Sequence, residues 1–185
     1  GLMKFNWTPT SSDQFVISYS RNRQDDGKRY DQLLGGDGNL IADLQNLMMD
    51  AFYVKYNRAG LGIFDQVTAT YSFNTQREER VMQGGNGNPL ASVTHEFERM
   101  YAHGFQAKAV ARFGDRHELL VGAELYPERI KAPSFALNPV NGATTVRRGR
   151  VPDGATYRSE GIYAQDAFEI VPGLLRAVGD LRYSG

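Results

Sequence analysis

Residues 64–74 alternate without a break. Val67, Ala69, Tyr71 and Phe73 share one parity, and Gln66, Thr68, Thr70, Ser72 and Asn74 share the other. Successive side chains of a β-strand point to opposite faces, so this segment has one apolar and one polar face; a helix would mix the two sets around its circumference. The same period recurs in residues 14–22 (Phe15, Ile17, Tyr19), 50–58 (Phe52, Val54, Tyr56) and 103–113 (Phe105, Ala107, Ala109, Ala111, Phe113). Residues 117–126 and 158–170 are noisier, and residues 2–8 and 174–184 also read as strands. Eight strands are expected, several near ten residues long against a usual mean of about 5–6. In residues 39–53, Leu40, Leu44, Leu47 and Met48 recur at helical spacing, and the first half is expected to be a short loop helix or an irregular loop.

Composition narrows the class. The protein has 185 residues, 41% hydrophobic and 23% charged, which excludes a disordered polyampholyte and suits one domain or a piece of a larger one. Lys and Arg number 21 and so do Asp and Glu, so no net charge draws the chain to nucleic acid. The absence of cysteine excludes disulfides, thiolate zinc sites and cysteine nucleophiles. No apolar run approaches the ~18 residues of a membrane-spanning helix, and the opening residues lack the apolar stretch of a signal peptide. A membrane-spanning β-strand escapes both tests, because it needs only about 9–11 residues and every second one can be polar.

The connections alternate as well. Short links at residues 8–13, 59–62, 114–116 and 171–173 supply Gly, Pro, Asp or Ser for tight reversals. Between them lie long links at residues 23–49, 75–101 and 127–157, rich in Gly, Asn and charge. In an up-and-down sheet this places every short turn at one end and every long loop at the other, the asymmetry of outer-membrane barrels. Aromatic residues fall near strand ends (Trp7, Phe15, Tyr19, Tyr56, Phe73, Phe105, Phe113, Phe168, Tyr183), as in the girdles at membrane interfaces. Ala69 and Tyr71 are therefore expected to face lipid, and Thr68 and Thr70 the watery interior. A soluble eight-stranded barrel with its apolar face inward is the competing arrangement.

Residues 161–166, Gly-Ile-Tyr-Ala-Gln-Asp, followed by a turn at Val171-Pro172-Gly173 and a strand running to Leu181-Arg182-Tyr183, resemble barrel strands of TonB-dependent receptors. His117-Glu118-Leu119-Leu120-Val121-Gly122-Ala123-Glu124 resembles a strand of the same family, and residues 2–19, with Trp7-Thr8-Pro9-Thr10, resemble its hairpins. Asp180, inserted between Gly179 and Leu181, departs from the family's usual spacing. The resemblance implies an all-β, antiparallel, up-and-down transmembrane barrel of 22 strands with an N-terminal plug. It implies a receptor of the cell outer membrane that imports a scarce ligand, of the ferric siderophore, cobalamin or carbohydrate class, with energy supplied by TonB. Partners implied are outer-membrane lipid, TonB acting through the plug, and an unidentified small molecule; no nucleic acid is expected. Eight strands at about 23 residues each would make a full barrel of ~500 residues, so residues 1–185 are expected to be part of an outer-membrane β-barrel domain without its plug. A complete eight-stranded barrel acting as anchor or adhesin is the alternative within the membrane class.

No catalytic residue, metal site or cofactor is expected. His95-Glu96 opens like a zinc-protease helix, but Arg99 stands where the second histidine belongs. Gly35-Gly36-Asp37-Gly38-Asn39 and Gly84-Gly85-Asn86-Gly87-Asn88 each match one turn of a calcium-binding repeat without the iteration that makes such repeats work. Arg147, Arg148 and Arg150 in the third long loop are the candidate ligand-binding residues, able to attract an anionic chelate or phosphate; a solvated run of loop charge is the competing reading. Interior-facing Lys108, Arg112, Arg176 and Arg182 are expected to form salt bridges, and Arg77-Glu78-Glu79-Arg80 to compensate itself.

Overall fold

Each alternating segment becomes a strand in the computed structural model, which describes residues 1–33 and 38–185. The elements are β1 (Leu2–Trp7), β2 (Asp13–Lys28), β3 (Ile41–Leu61), β4 (Phe64–Gln83), β5 (Val93–Phe113), β6 (His117–Lys131), β7 (Ser134–Leu137), β8 (Thr144–Arg147), β9 (Thr156–Val171) and β10 (Leu175–Ser184). All belong to one antiparallel sheet. Eight follow each other as a meander, β1-β2-β3-β4-β5-β6-β9-β10, and the short β7–β8 hairpin extends it by pairing β7 with the start of β5. The fold is all-β and up-and-down, as expected, with the eight anticipated strands in sequence order. Among the described residues there is no helix, and no ladder joins β1 to β10, so the sheet is open at both edges.

The short turns fall where Gly and Pro placed them. Gly62, Gly114 and Gly173 all have positive φ, a backbone state that a Cβ disfavours, and they close the β3–β4, β5–β6 and β9–β10 reversals. Between β1 and β2, the Thr10 hydroxyl donates to Asp13 Oδ2 at 2.6 Å and accepts from the Asp13 amide at 3.1 Å. All four lie at one end of the sheet.

The opposite end corrects two expectations. Residues 41–53 are neither helix nor loop: they are the first part of β3, paired with β2 and β4 on either side, with one register shift at Leu44/Asn46. The long links are mostly strand. β3 runs for 21 residues, β4 for 20 and β5 for 21, leaving only residues 84–92 to connect β4 to β5. Residues 144–147, expected in a loop, form β8. Residues 35–37 of the first glycine run lie outside the described residues. The physical reason for the misreading is that a strand is defined by its amide ladder, and an exposed strand with polar residues on both faces keeps the ladder without any hydrophobic contrast.

Register fixes the faces. Phe5, Ile17, Val54, Tyr71, Phe105 and Leu125 are successive partners across six strands, and below them run Trp7, Phe15, Tyr56, Ala69, Ala107, Ala123, Ile162 and Tyr183. These rows form an apolar band on one face. Above the row Tyr19–Phe52–Phe73 that same face turns polar, with Asp50 beside Thr75, Arg77 beside Arg99, and Asn46 beside Glu79. The band thus covers only part of strands that at ~3.4 Å per residue extend about 70 Å. The other face is polar in β4 from Gln66 to Arg80, where Thr68, Thr70, Ser72 and Asn74 continue into Gln76, Glu78 and Arg80. In the last hairpin, residues 176–184 pair without interruption, and a register shift falls at Leu175/Arg176, well before Asp180.

Candidate functional site

Two groups of polar side chains stand out on the polar face, one at mid-height and one at the end opposite the short turns. The first lines a shallow hollow of about 470 Å³ bounded by Tyr53, Lys55, Thr70, Gln106, Lys108 and Tyr163. Register puts Lys55, Thr70 and Gln106 in one row and Thr68 and Lys108 in the next. Hydrogen bonds fix the wall beside it: Thr68 donates to Asn57 Oδ1 at 3.1 Å, and Asn57 donates to Gln14 Oε1 at 3.0 Å. Among the described residues Lys108 makes no ion pair, against expectation, because Glu124, the acid in the row beside it, is taken by Arg182. The hollow is a cationic patch with phenol, hydroxyl and amide groups around it.

The expected salt bridges of Arg112, Arg176 and Arg182 are present. Glu118 accepts from Arg112 Nε at 3.1 Å and from Arg176 Nη2 at 3.0 Å, linking β5, β6 and β10 near the short turns. Arg182 pairs with Glu124, and its guanidinium lies 6.0 Å from the Tyr163 ring centroid.

The second group gathers at the far end. Glu78 of β4 directly opposes Glu98 of β5, and Arg80 opposes Glu96. Like charges facing each other across a ladder are unfavourable. Arg80 pairs with Glu78, and Arg150, arriving from the β8–β9 connection, contacts all three acids: Glu78 at 3.2 Å, Glu96 at 3.3 Å and Glu98 at 3.3 Å. Burial, with the nearby Arg150 charge second, lowers the Arg80 pKa from its ordinary value. Arg77 pairs with Glu79 on the opposite face, so residues 77–80 do compensate their own charge, one pair per face.

The three candidate arginines are therefore separated by the fold. Arg150 is engaged by carboxylates. Arg147, on β8, donates weakly to Thr94 Oγ1 at 3.5 Å. Arg148 is exposed in the connection that follows. The Lys55/Lys108 patch is what sequence reasoning missed; the signal was present, since both lysines sit on the polar parity of apolar/polar strands, but which carboxylates lie beside them depends on register between strands.

The histidines are structural. His103 Nδ1 lies 3.0 Å from the Tyr71 hydroxyl on the apolar face, His95 stacks on Phe135 with centroids 4.8 Å apart, and His117 contacts Asp166 at 2.9 Å. Among the described residues no group of three or more His, Asp or Glu is placed to hold a metal ion, and no helix is long and apolar enough to cross a membrane.

Long antiparallel strands in sequence order, short turns at one end and a single apolar band on one face define a sheet of the outer-membrane β-barrel type. Comparison with solved structures agrees: the protein is similar to the copper transporter OprC, an outer-membrane barrel, with a TM-score of 0.70 at 14% identity. The similarity covers 99% of this chain and 27% of that one, so the protein spans about a quarter of its structural neighbour. No family model matches the sequence, and no curated protein matches it.

Proposed function

We propose that these residues form part of the wall of a larger outer-membrane barrel that imports a small ligand. The observation that carries this is a pair of tyrosines on the apolar face. Tyr19 donates to Asp50 at 2.8 Å, toward the long-connection end, while Tyr56 donates to Asp13 at 2.6 Å, toward the short-turn end. Both phenols thus leave the apolar band in opposite directions, as tyrosines do at the two interfaces of a bilayer. The face between them meets lipid, and the polar face with Lys55 and Lys108 lines an aqueous interior.

The open edges support a partial wall. β1 and β10 are exposed on both faces, with Met3 71%, Phe5 59%, Leu181 78% and Tyr183 69% accessible. In lipid each unpaired edge amide or carbonyl costs several kcal/mol, so both edges require further strands. The strands that would complete such a barrel, and a plug through which TonB would deliver energy, belong to the rest of this reading. Ligands of the ferric siderophore, cobalamin or carbohydrate class fit an aqueous wall of hydroxyls, amides and lysines. A closed eight-stranded anchor or adhesin would need a β1–β10 ladder. A soluble barrel would need the apolar band inside.

The test is uptake by cells carrying the intact parent protein. Labelled ferric siderophores, cobalamin and oligosaccharides are offered with and without the proton-motive force, and one class is expected to accumulate only when the membrane is energised. Fractionation should place the protein in the outer membrane. A protein recovered soluble and monomeric without detergent would defeat the proposal.

A further inference from the structure

We propose that residues 148–151 form an ion-locked strap over the polar face at the mouth of the barrel, with Arg150 as its latch. The inference takes from the proposed function only the assignment of this end to the cell exterior. Four observations build it. The directly opposed Glu78 and Glu98, with Glu96 beside them, leave two acids more than Arg80 can neutralise. The missing cation comes from a connection 52 to 72 residues away in sequence, so the acids hold that connection in place. Gly149 passes directly over Ser134: a Cβ on Gly149 would lie 3.4 Å from Ser134 Cβ. Ser134 is 5% exposed beneath it, and its hydroxyl is buried without a hydrogen-bond partner among the described residues.

The two sides of the strap are fastened differently. On the β9 side, Asp153 Oδ1 accepts from the Ala132 amide at 2.7 Å and the Gly154 amide donates to Ile130 O at 3.1 Å. On the other side the latch is ionic, and its side chain is 48% exposed while those of the three acids are 15–29% exposed. Half-exposed ion pairs are weak singly and are screened by salt, whereas amide hydrogen bonds are not. The arrangement is a hinge at residues 153–154 and a releasable latch at Arg150. Release uncovers Ser134 and frees Glu96 and Glu98 on the wall at the mouth, Glu78 staying with Arg80, and the freed carboxylates then present a cation-attracting surface to incoming solute.

These 185 residues contain no cysteine, so Ser134→Cys, in a parent protein with every cysteine elsewhere replaced by serine, supplies a single reporter thiol. The intact parent protein, carrying this change, is labelled on cells with a membrane-impermeant maleimide, and Asn141→Cys in the exposed β7–β8 turn serves as control. Labelling of the Ser134→Cys thiol should be slow. It should accelerate roughly tenfold when Arg150→Gln is added, with Arg150→Lys in between, as expected for about three half-exposed ion pairs. Raising salt to about 0.5 M should accelerate labelling in the protein that retains Arg150 and leave the Arg150→Gln protein unchanged. Equal rates with Arg150 retained and with Arg150→Gln, or a salt-independent rate with Arg150 present, would overturn the strap. The salt arm needs no change at Arg150, so it decides even if that variant fails to assemble. Failure of the Asn141→Cys control to label on cells would instead overturn the assignment of this end to the exterior, and the same rates measured in detergent would still decide the strap.

Discussion

Tyr163 of β9 lies flat across Gly122 of β6, its direct ladder partner, so closely that a Cβ on Gly122 would sit 2.3 Å from Tyr163 Cζ. The same relationship recurs one strand away, where a Cβ on Gly104 would lie 2.9 Å from Tyr126 Cε1 and 2.3 Å from Ser72 Oγ. Glycine weakens a strand by exposing backbone and packing nothing, and an aromatic ring laid over it restores both. Both pairs lie on the polar face, where they hold Tyr163 beside Arg182 and Lys108. Gly122→Ala is expected to displace the ring and cost about 1–3 kcal/mol, as overpacking does. Denaturant unfolding of the intact protein in detergent measures it, and adding Tyr163→Ala should recover part of the loss. A Gly122→Ala protein as stable as its parent would mean that the ring moves aside freely.

The face assignment is tested at neighbouring residues. Ala69 lies in the row Tyr56–Ala69–Ala107–Ala123 of the apolar band, and Thr70 in the row Lys55–Thr70–Gln106 of the polar face. Ala69→Arg should destabilise the bilayer-embedded protein by about 2–4 kcal/mol if it lies near the midplane, and Thr70→Arg by much less. Unfolding titrations in lipid vesicles give both values; the reverse order would turn the sheet inside out.

Tyr71 and His103 satisfy each other on the apolar face at 3.0 Å. On the proposed lipid-facing side, Tyr71→Phe leaves the imidazole without its partner and without water to replace it, at a cost of about 1–3 kcal/mol. Converting both residues to Phe removes the orphaned group along with the bond, and should be less damaging than the single change. A double-mutant cycle in vesicles reads the coupling, and an additive cycle would show that His103 finds another partner.

Glu118 joins Arg112 and Arg176 at the short-turn end, and its side chain is 37% exposed. Ion pairs this exposed are worth about 0.2–1 kcal/mol each. Glu118→Gln should therefore leave global stability nearly unchanged while speeding hydrogen exchange at the start of β10, an edge strand held only by β9 among the described residues. A loss of several kcal/mol would show that the triad closes the turn end rather than trimming it.

The sequence by itself determined which residues share a face and where the chain reverses. Alternation is a local property: from Gln66 to Asn74 the pleat alone sends Ala69 and Thr70 to opposite sides, and Gly62, Gly114 and Gly173 mark turns because their backbone must enter a region that a Cβ disfavours. Tertiary structure decided how far the strands extend. Residues 41–50, 75–83 and 93–102 carry polar side chains on both faces, so no hydrophobic contrast distinguishes them from loop, and Leu40, Leu44, Leu47 and Met48 even imitate a helix; cross-strand amide pairing makes them strand. It also decided which charges meet. Arg147, Arg148 and Arg150 are equivalent as a sequence cluster, yet only Arg150 reaches Glu78, Glu96 and Glu98, because the β7–β8 hairpin returns the chain to β5 at that point. Lys108 stays without an ion pair among the described residues for the matching reason: the register between β5, β6 and β10 gives Glu124 to Arg182. Periodicity sets the side of a sheet on which a side chain lies, whereas its partner is set by the alignment of strands far apart in sequence.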